Sequence, residues 1–251
     1  MRRKIFNVYN SNNQAVQDAY AMLTANIHIN NKYKTMKTFT ILSVNPKEGK
    51  TSLEINLAVS MAQSGWKVLL VDADMRKPKA AKRLNDESMI GLSDYLTGEM
   101  RFESTLSQTN ITNLTYLSCG SDHPNPIGLL CSARFEELMN IVKKEYDMVL
   151  FDTPALASVA DGGLVAAKTD TTILVAKMGV TTVTALQRAK EHLESLNVSI
   201  LGVVLNRVKK RDYKLYYGSY NYFFKPKRFF KKQFSNRDSA LKEENQEDKE
   251  E

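Results

Sequence analysis

The residues best suited to chemistry stand in one short run, Ser43-Val44-Asn45-Pro46-Lys47-Glu48-Gly49-Lys50-Thr51-Ser52. A β-prone segment, 38–44, leads into it, and a helix-prone segment, 53–63, follows. A strand delivers the chain, a turn presents backbone N–H groups, and the next helix starts with its positive end toward the turn. That combination makes an anion site. The side chains suit a nucleotide: Lys50 reaches the β- and γ-phosphates, and the Thr51 hydroxyl holds Mg²⁺. Pro46, Lys47, Glu48, Gly49 and Ser52 complete the lining of the same turn. The strict pattern is G-x-x-x-x-G-K-[ST], and Val44 stands where its first glycine should be, so the match is a variant. An ordinary strand–turn–helix with Gly-Lys in the turn is the alternative.

Carboxylates come where such a site needs them. Asp152 ends the apolar run Met148-Val149-Leu150-Phe151. A lone Asp there is either the magnesium-side carboxylate of a P-loop protein or a helix cap. Asp72 and Asp74 follow a second apolar run, 67–71. Three carboxylates near one triphosphate would orient hydrated Mg²⁺, and one would take a proton from an incoming hydroxyl. Arg76 either steadies phosphate or forms a salt bridge.

Further on, residues 213–222 hold Tyr213, Tyr216, Tyr217, Tyr220 and Tyr222, five of the eleven tyrosines, with no helical or strand period. They suit a stacking surface for nucleic acid, an interface strip, or a set of phosphate acceptors. Residues 223–234 interleave Phe with Lys and Arg, a pattern that fits an anionic membrane surface better than nucleic acid. The last nine residues are mostly acidic, and a solvated charged tail accounts for both stretches equally well.

These groups need a scaffold, and the chain is long enough for one. Its 251 residues suffice for an α/β domain with a full core and a tail. Apolar content of 43% and charged content of 25% are those of a soluble globular protein. A net charge of +7 favours anionic partners without choosing among nucleotide, nucleic acid and membrane. Cys119 and Cys131 lack metal-ligand spacing and read as buried thiols of a reducing compartment. No apolar run approaches a membrane span, and Met1-Arg2-Arg3-Lys4 is not followed by a signal-peptide core. The expectation is a cytoplasmic protein.

The element pattern is repeated βα units. Residues 1–12 read as an extended lead, and Asn12 or Asn13 caps a helix to about residue 29. Strands are expected at 38–44, 67–71, 114–118, 146–151, 171–176 and 200–205. Helices are expected at 51–63, 91–96, 102–106, from 126, and at 133–144, 161–168 and 182–196. Residues 78–88 read as a loop with a short helix. Strands without alternation, separated by helices, predict a mostly parallel sheet covered by helices on both faces. Ligands of such sheets bind beyond the carboxyl ends of the strands. Lys50, Asp72, Asp152 and Asn206 all follow strands, so one rim can carry them all. The pattern stops after Arg207, which divides the chain into a core, 1–207, and a flexible tail, 208–251.

Assembled, the chain resembles the bacterial tyrosine kinases of capsular and exopolysaccharide synthesis, in the form of a separate cytoplasmic kinase subunit of Gram-positive bacteria. The likeness covers roughly residues 15–222. SVNPKEGKTS resembles that family's Walker A, LLVDADMRKP (residues 69–78) its Walker A′, and MVLFDTP (148–154) its Walker B. GLSDYLTGE (91–99), HPNPIGLL (123–130) and LGVVLNR (201–207) match in character and order. The resemblance implies a MinD/ParA-like P-loop fold, ATP and Mg²⁺ as cofactors, and autophosphorylation of the clustered tyrosines from one subunit to the next. Lys50 and Thr51 would bind phosphate and metal, Asp72 would activate the tyrosine hydroxyl, Asp74 and Asp152 would organise the metal, and Asn206 would lie near adenine. The implied partners are a membrane adaptor of the polysaccharide co-polymerase type, further copies of the chain and a tyrosine phosphatase, with no nucleic acid. The chain would then sit at the inner face of the membrane. Lys47 replaces the family's usual glycine, and Asp18, Ala21 and Thr24 occupy the family's Glu-x-x-Arg-x-x-Arg positions. The rival readings are a MinD/ParA-like ATPase acting on membrane or DNA, and a non-catalytic nucleotide-binding scaffold.

Overall fold

The computed structural model describes residues 5–6, 8, 13–31, 35–76, 90–209 and 212. Residues 78–88 and the tyrosine, basic-aromatic and acidic stretches from 213 onward lie outside them. Met1–Val208 forms one compact unit, and the site lies within it.

The strands are β1 (Ile5–Phe6), β2 (Thr38–Ser43), β3 (Val68–Asp72), β4 (Leu106–Thr109), β5 (Leu114–Leu117), β6 (Met148–Asp152), β7 (Thr171–Lys177) and β8 (Ile200–Asn206). They form one sheet in the order β1-β4-β5-β3-β6-β2-β7-β8. The β4–β5 pair is antiparallel. The other pairs are parallel. The helices are α1 (Gln14–Asn30), α2 (Lys50–Gln63), α3 (Leu92–Thr97), α4 (Phe102–Thr105), α5 (Pro126–Leu130), α6 (Ala133–Glu145), α7 (Asp161–Lys168) and α8 (Val183–Ser195).

Every residue of β2, β3 and β6 is buried. Continuous apolar strands of this kind need cover on both faces. One face packs Phe39, Ile41, Leu70 and Leu150 against Leu53, Leu57 and Met61 of α2, with Ile27 of α1 behind. The other packs Leu69, Val71, Val149 and Phe151 against Phe135 and Leu138 of α6 and Val165 of α7. The mostly parallel, doubly covered sheet expected from the sequence is therefore present.

The first helix begins at the second of its two candidate caps, where the Asn13 side chain accepts a hydrogen bond from Ala15 N at 3.0 Å. It docks within the chain, on α2. Thr24 is 4% exposed, and its hydroxyl donates to Ser60 Oγ at 2.9 Å. This position, an arginine in the resembled pattern, thus serves internal packing.

Within the extended lead expected at the start of the chain, β1 pairs with β4. Three expectations need correction. The helix expected at 102–106 stops at Thr105, because Leu106 turns into β4 and pairs with Leu117. No element is expected at 107–113, yet most of β4 lies there. Cys119 is buried, but Cys131 is exposed at the end of α5.

At the amino ends of the strands, Asp170 ties three elements together. Its carboxylate accepts from Lys37 N at 2.8 Å and Thr38 N at 2.9 Å, and pairs with Lys143 of α6 at 2.5 Å. Burial alone would raise the Asp170 pKa. The hydrogen bonds from Lys143 and from the backbone of Lys37 and Thr38 outweigh it and hold the pKa below its ordinary value. A depressed carboxylate pKa stabilises the fold above the unfolded-state value of about 3.9 and stops doing so as pH falls through the folded-state value. Asp170→Asn should cost about 1–3 kcal/mol at pH 7, with the difference from wild type vanishing in acid. Urea unfolding across pH measures this, and a pH-independent difference would refute it.

Candidate active site

The loop after β2 is shaped by its residue types. Lys47 has φ 65° and Gly49 φ 102°, both in the left-handed region. Glycine adopts that region at no steric cost, while a lysine there carries some strain. Gly49 is also the residue before α2 and offers no side chain to cap it, so the start of the helix faces the turn. A Cβ at Gly49 would lie 2.1 Å from Asn206 Nδ2, so a larger residue there must push the Asn206 amide aside.

Glu48 points inward and is 1% exposed. Its carboxylate accepts from Asn45 N at 3.1 Å, Asn45 Nδ2 at 3.2 Å and the Thr181 hydroxyl at 2.5 Å. Its backbone carbonyl accepts from Asn206 Nδ2 at 3.0 Å. The loop is thus held from β8 and from the segment after β7. Pro46, Lys47 and Ser52 are exposed along its outer side.

The functional groups meet at the carboxyl ends of the central strands. The Thr51 hydroxyl donates to Asp152 Oδ2 at 2.5 Å, joining the first turn of α2 to the end of β6. Asp72 is the register partner of Asp152 on β3, and both are buried. Asp74 lies two residues on, and its N–H donates to Asp72 Oδ1 at 3.0 Å. Lys50 donates from Nζ to Ser43 Oγ at 3.1 Å. Burial lowers the Lys50 pKa, against the opposing pull of Asp152, Asp74, Glu48 and Glu54. A desolvated ammonium among carboxylates is suited to an incoming phosphate.

The structure therefore places Lys50, Thr51, Asp72, Asp74 and Asp152 together at the carboxyl ends of the central strands. Asn206 joins them, with its amide turned to the loop backbone. Arg76 makes the salt bridge of its two alternatives, pairing with Asp161 through Nε at 2.6 Å and Nη2 at 3.1 Å. The acceptor tyrosines fall outside the described residues. Two neighbours of the site, Thr181 and Glu54, are not expected from the sequence, and neither is the contact of Ser43 with Lys50. Ser43 and Thr181 are hydroxyls with no distinguishing spacing. Glu54 does carry a signal, a lone acid between Leu53 and Ile55 one helical turn after Lys50.

Comparison with known proteins agrees with this geometry. Residues 36–200 match the family described as AAA domain. Tyrosine-protein kinase CpsD of Streptococcus pneumoniae serotype 4 is 35% identical over 193 residues, 76% of this chain and 84% of that protein. The kinase domain of the Escherichia coli tyrosine kinase ETK superposes with a TM-score of 0.75 at 30% identity, over 78% of this chain and 76% of that one. The septum site-determining protein MinD of Pyrococcus horikoshii, complexed with Mg-ADP, superposes with a TM-score of 0.60 at 27% identity, over 70% and 73% of the two chains.

Sheet and loop define a nucleotide-binding P-loop protein of the MinD-like kind. Within that class, the chain belongs to the bacterial tyrosine-protein kinases of capsular and exopolysaccharide synthesis. It is a tyrosine-protein kinase.

Gly49→Ala should strain the left-handed turn by about 1–3 kcal/mol and displace Asn206 from Glu48. Nucleotide affinity should fall about tenfold or more, read by titration of a fluorescent nucleotide. Wild-type affinity in a folded variant would contradict the fit described for Gly49.

Proposed function

We propose that the kinase uses ATP with Mg²⁺ and phosphorylates its own C-terminal tyrosines, Tyr213, Tyr216, Tyr217, Tyr220 and Tyr222, chiefly from one subunit to the next. The observation that carries this is the convergence of Lys50, the Thr51–Asp152 pair and Asp72 at one rim of the sheet. The donor set fits the cation. A hydroxyl and carboxylates are the hard oxygen ligands that Mg²⁺ takes, and the Gly49 turn leaves the helix start open to phosphate. Thr51 and Asp152 would hold the ion, with Asp74 orienting its water shell. The ion would supply charge neutralisation on the phosphate oxygens.

The residues' own work is positional and electrostatic. Lys50 and the loop N–H groups, including those of Pro46–Ser52 that carry one, align the phosphates. Asp72 accepts the phenolic proton as the tyrosine oxygen forms its bond to the γ-phosphorus and ADP departs. Asn206 flanks the adenine while bracing the loop. Residues 1–207 form the kinase domain with its N-terminal helix, and 208–251 form the acceptor tail.

The partners follow from the same reading. A membrane adaptor of the polysaccharide co-polymerase type activates the kinase and holds it at the inner face of the membrane, assisted by the basic-aromatic run 223–234 on anionic lipid. A cognate phosphatase reverses the modification. No helix among the described residues is long and apolar enough to cross a membrane.

Lys50→Met should reduce phosphotyrosine about 100-fold or more, measured by mass spectrometry after incubation with Mg²⁺–ATP, with and without adaptor peptide. Replacing all five tyrosines by Phe should remove the label and leave ATP affinity intact. Undiminished labelling in Lys50→Met would refute the assignment. Hydrolysis stimulated by lipid or DNA, with no phosphotyrosine formed, would favour an ATPase of the MinD kind.

A further inference from the structure

One carboxylate near the site has no role in the scheme above. Glu54 sits on α2, one turn beyond Lys50, with 0% of its surface exposed. Neither of its oxygens has a hydrogen-bond partner among the described residues. The residues around it on the helix, Leu53, Ile55, Leu57 and Ala58, form part of the core. An ionised carboxylate buried without partners costs several kcal/mol. Without a positive group beside it the carboxyl is held in its neutral form, and a cation brought to this place would favour its ionisation.

The position is not arbitrary. The Thr51–Asp152 bond fixes the first turn of α2 against β6, and Asp152 lies in register with Asp72. Glu54 feels the negative charge of Asp152 and Asp72, and Lys50 is the positive group that opposes them. Burial comes first among the causes that push its pKa well above the ordinary value, followed by those two carboxylates. Once Lys50 is engaged by phosphate, the compensation it gives Glu54 is weakened.

We propose that Glu54 is a further acidic group for the cation of the nucleotide site, accepting a hydrogen bond from one of the ion's coordinated waters. Among the described residues no three of His, Cys, Asp or Glu stand close enough to chelate an ion, and the role assigned to Glu54 is toward a coordinated water. Mg²⁺ keeps several of its waters, and outer-shell acceptors of such waters set metal affinity. Glu54 thus acts as a positioning residue, tuning how tightly the nucleotide-bound protein takes the metal. The inference rests on the nucleotide-site reading given above.

The test uses the full chain. ADP is bound first in the presence of chelator, and Mg²⁺ is then titrated calorimetrically into wild type and Glu54→Gln. Unfolding of both proteins is measured without metal. Glu54→Gln should weaken Mg²⁺ binding about tenfold or more. It should also leave metal-free stability equal or higher, since a neutral amide replaces a buried carboxyl that has no hydrogen-bond partner among the described residues. Equal Mg²⁺ affinity in the two proteins would overturn the proposal. So would a parallel loss of stability and affinity, which assigns Glu54 to packing alone. If wild type takes up neither ADP nor Mg²⁺, the nucleotide-site reading itself fails, and the proposal with it.

Discussion

The hydrogen bond from Thr51 to Asp152 is the contact on which the site's geometry depends. It joins a helix start to a strand end that are 101 residues apart in sequence. β6 lies between β3 and β2, so whatever is fixed to its end is fixed relative to both. Asp72 belongs to one neighbour, and the phosphate loop grows from the other. The chain leaves β2 over one face of the sheet through α2 toward β3, and leaves β6 over the other face through α7 toward β7. Connections that diverge in this way open a crevice beyond the strand ends, and ligands of α/β sheets settle there.

The two glutamates near the loop show how differently a buried acid can be treated. Glu48 is nearly inaccessible, yet its carboxylate receives N–H and O–H donors from Asn45 and Thr181. Its charge is solvated by the protein, and it serves the shape of the turn. Glu54, six residues later, is buried with no donor to it among the described residues. Such an arrangement is inefficient as architecture, because a leucine at that place would cost nothing electrostatically. The contrast separates an acid used for structure from one that awaits a partner.

Much of this was legible in the sequence for definite reasons. β2, β3 and β6 are buried on both faces, so their apolar runs are uninterrupted and their ends fall on polar residues that matter. Gly49-Lys50-Thr51 is readable because only glycine suits the turn, and the cation and hydroxyl must follow it at once. The edge was not legible. β4 is half-exposed and reads Leu-Ser-Gln-Thr, and β1 has two residues, so neither shows a period. Strand order depends on crossovers that local pattern does not encode. Cys131 was misjudged because composition says nothing of which face a helix end turns outward. Glu54 was overlooked because a single acid in an amphipathic helix ordinarily faces solvent.

The grip on the loop also bears on how the site responds to its ligand. Asn206 reaches Glu48 from the last strand, and Thr181 reaches it from the segment after β7. Thr181 is itself held, since its hydroxyl oxygen accepts from Lys177 N at 2.9 Å. Lys47 and Gly49 stay in left-handed backbone between these anchors. A turn pinned at both the side chain and the carbonyl of Glu48 has little freedom to collapse when phosphate is absent. Less ordering is then left to be done at binding, and more of the interaction energy appears as affinity. The same anchors mean that a displacement at the end of β8 reaches the phosphate loop through one amide, with no intervening element to absorb it.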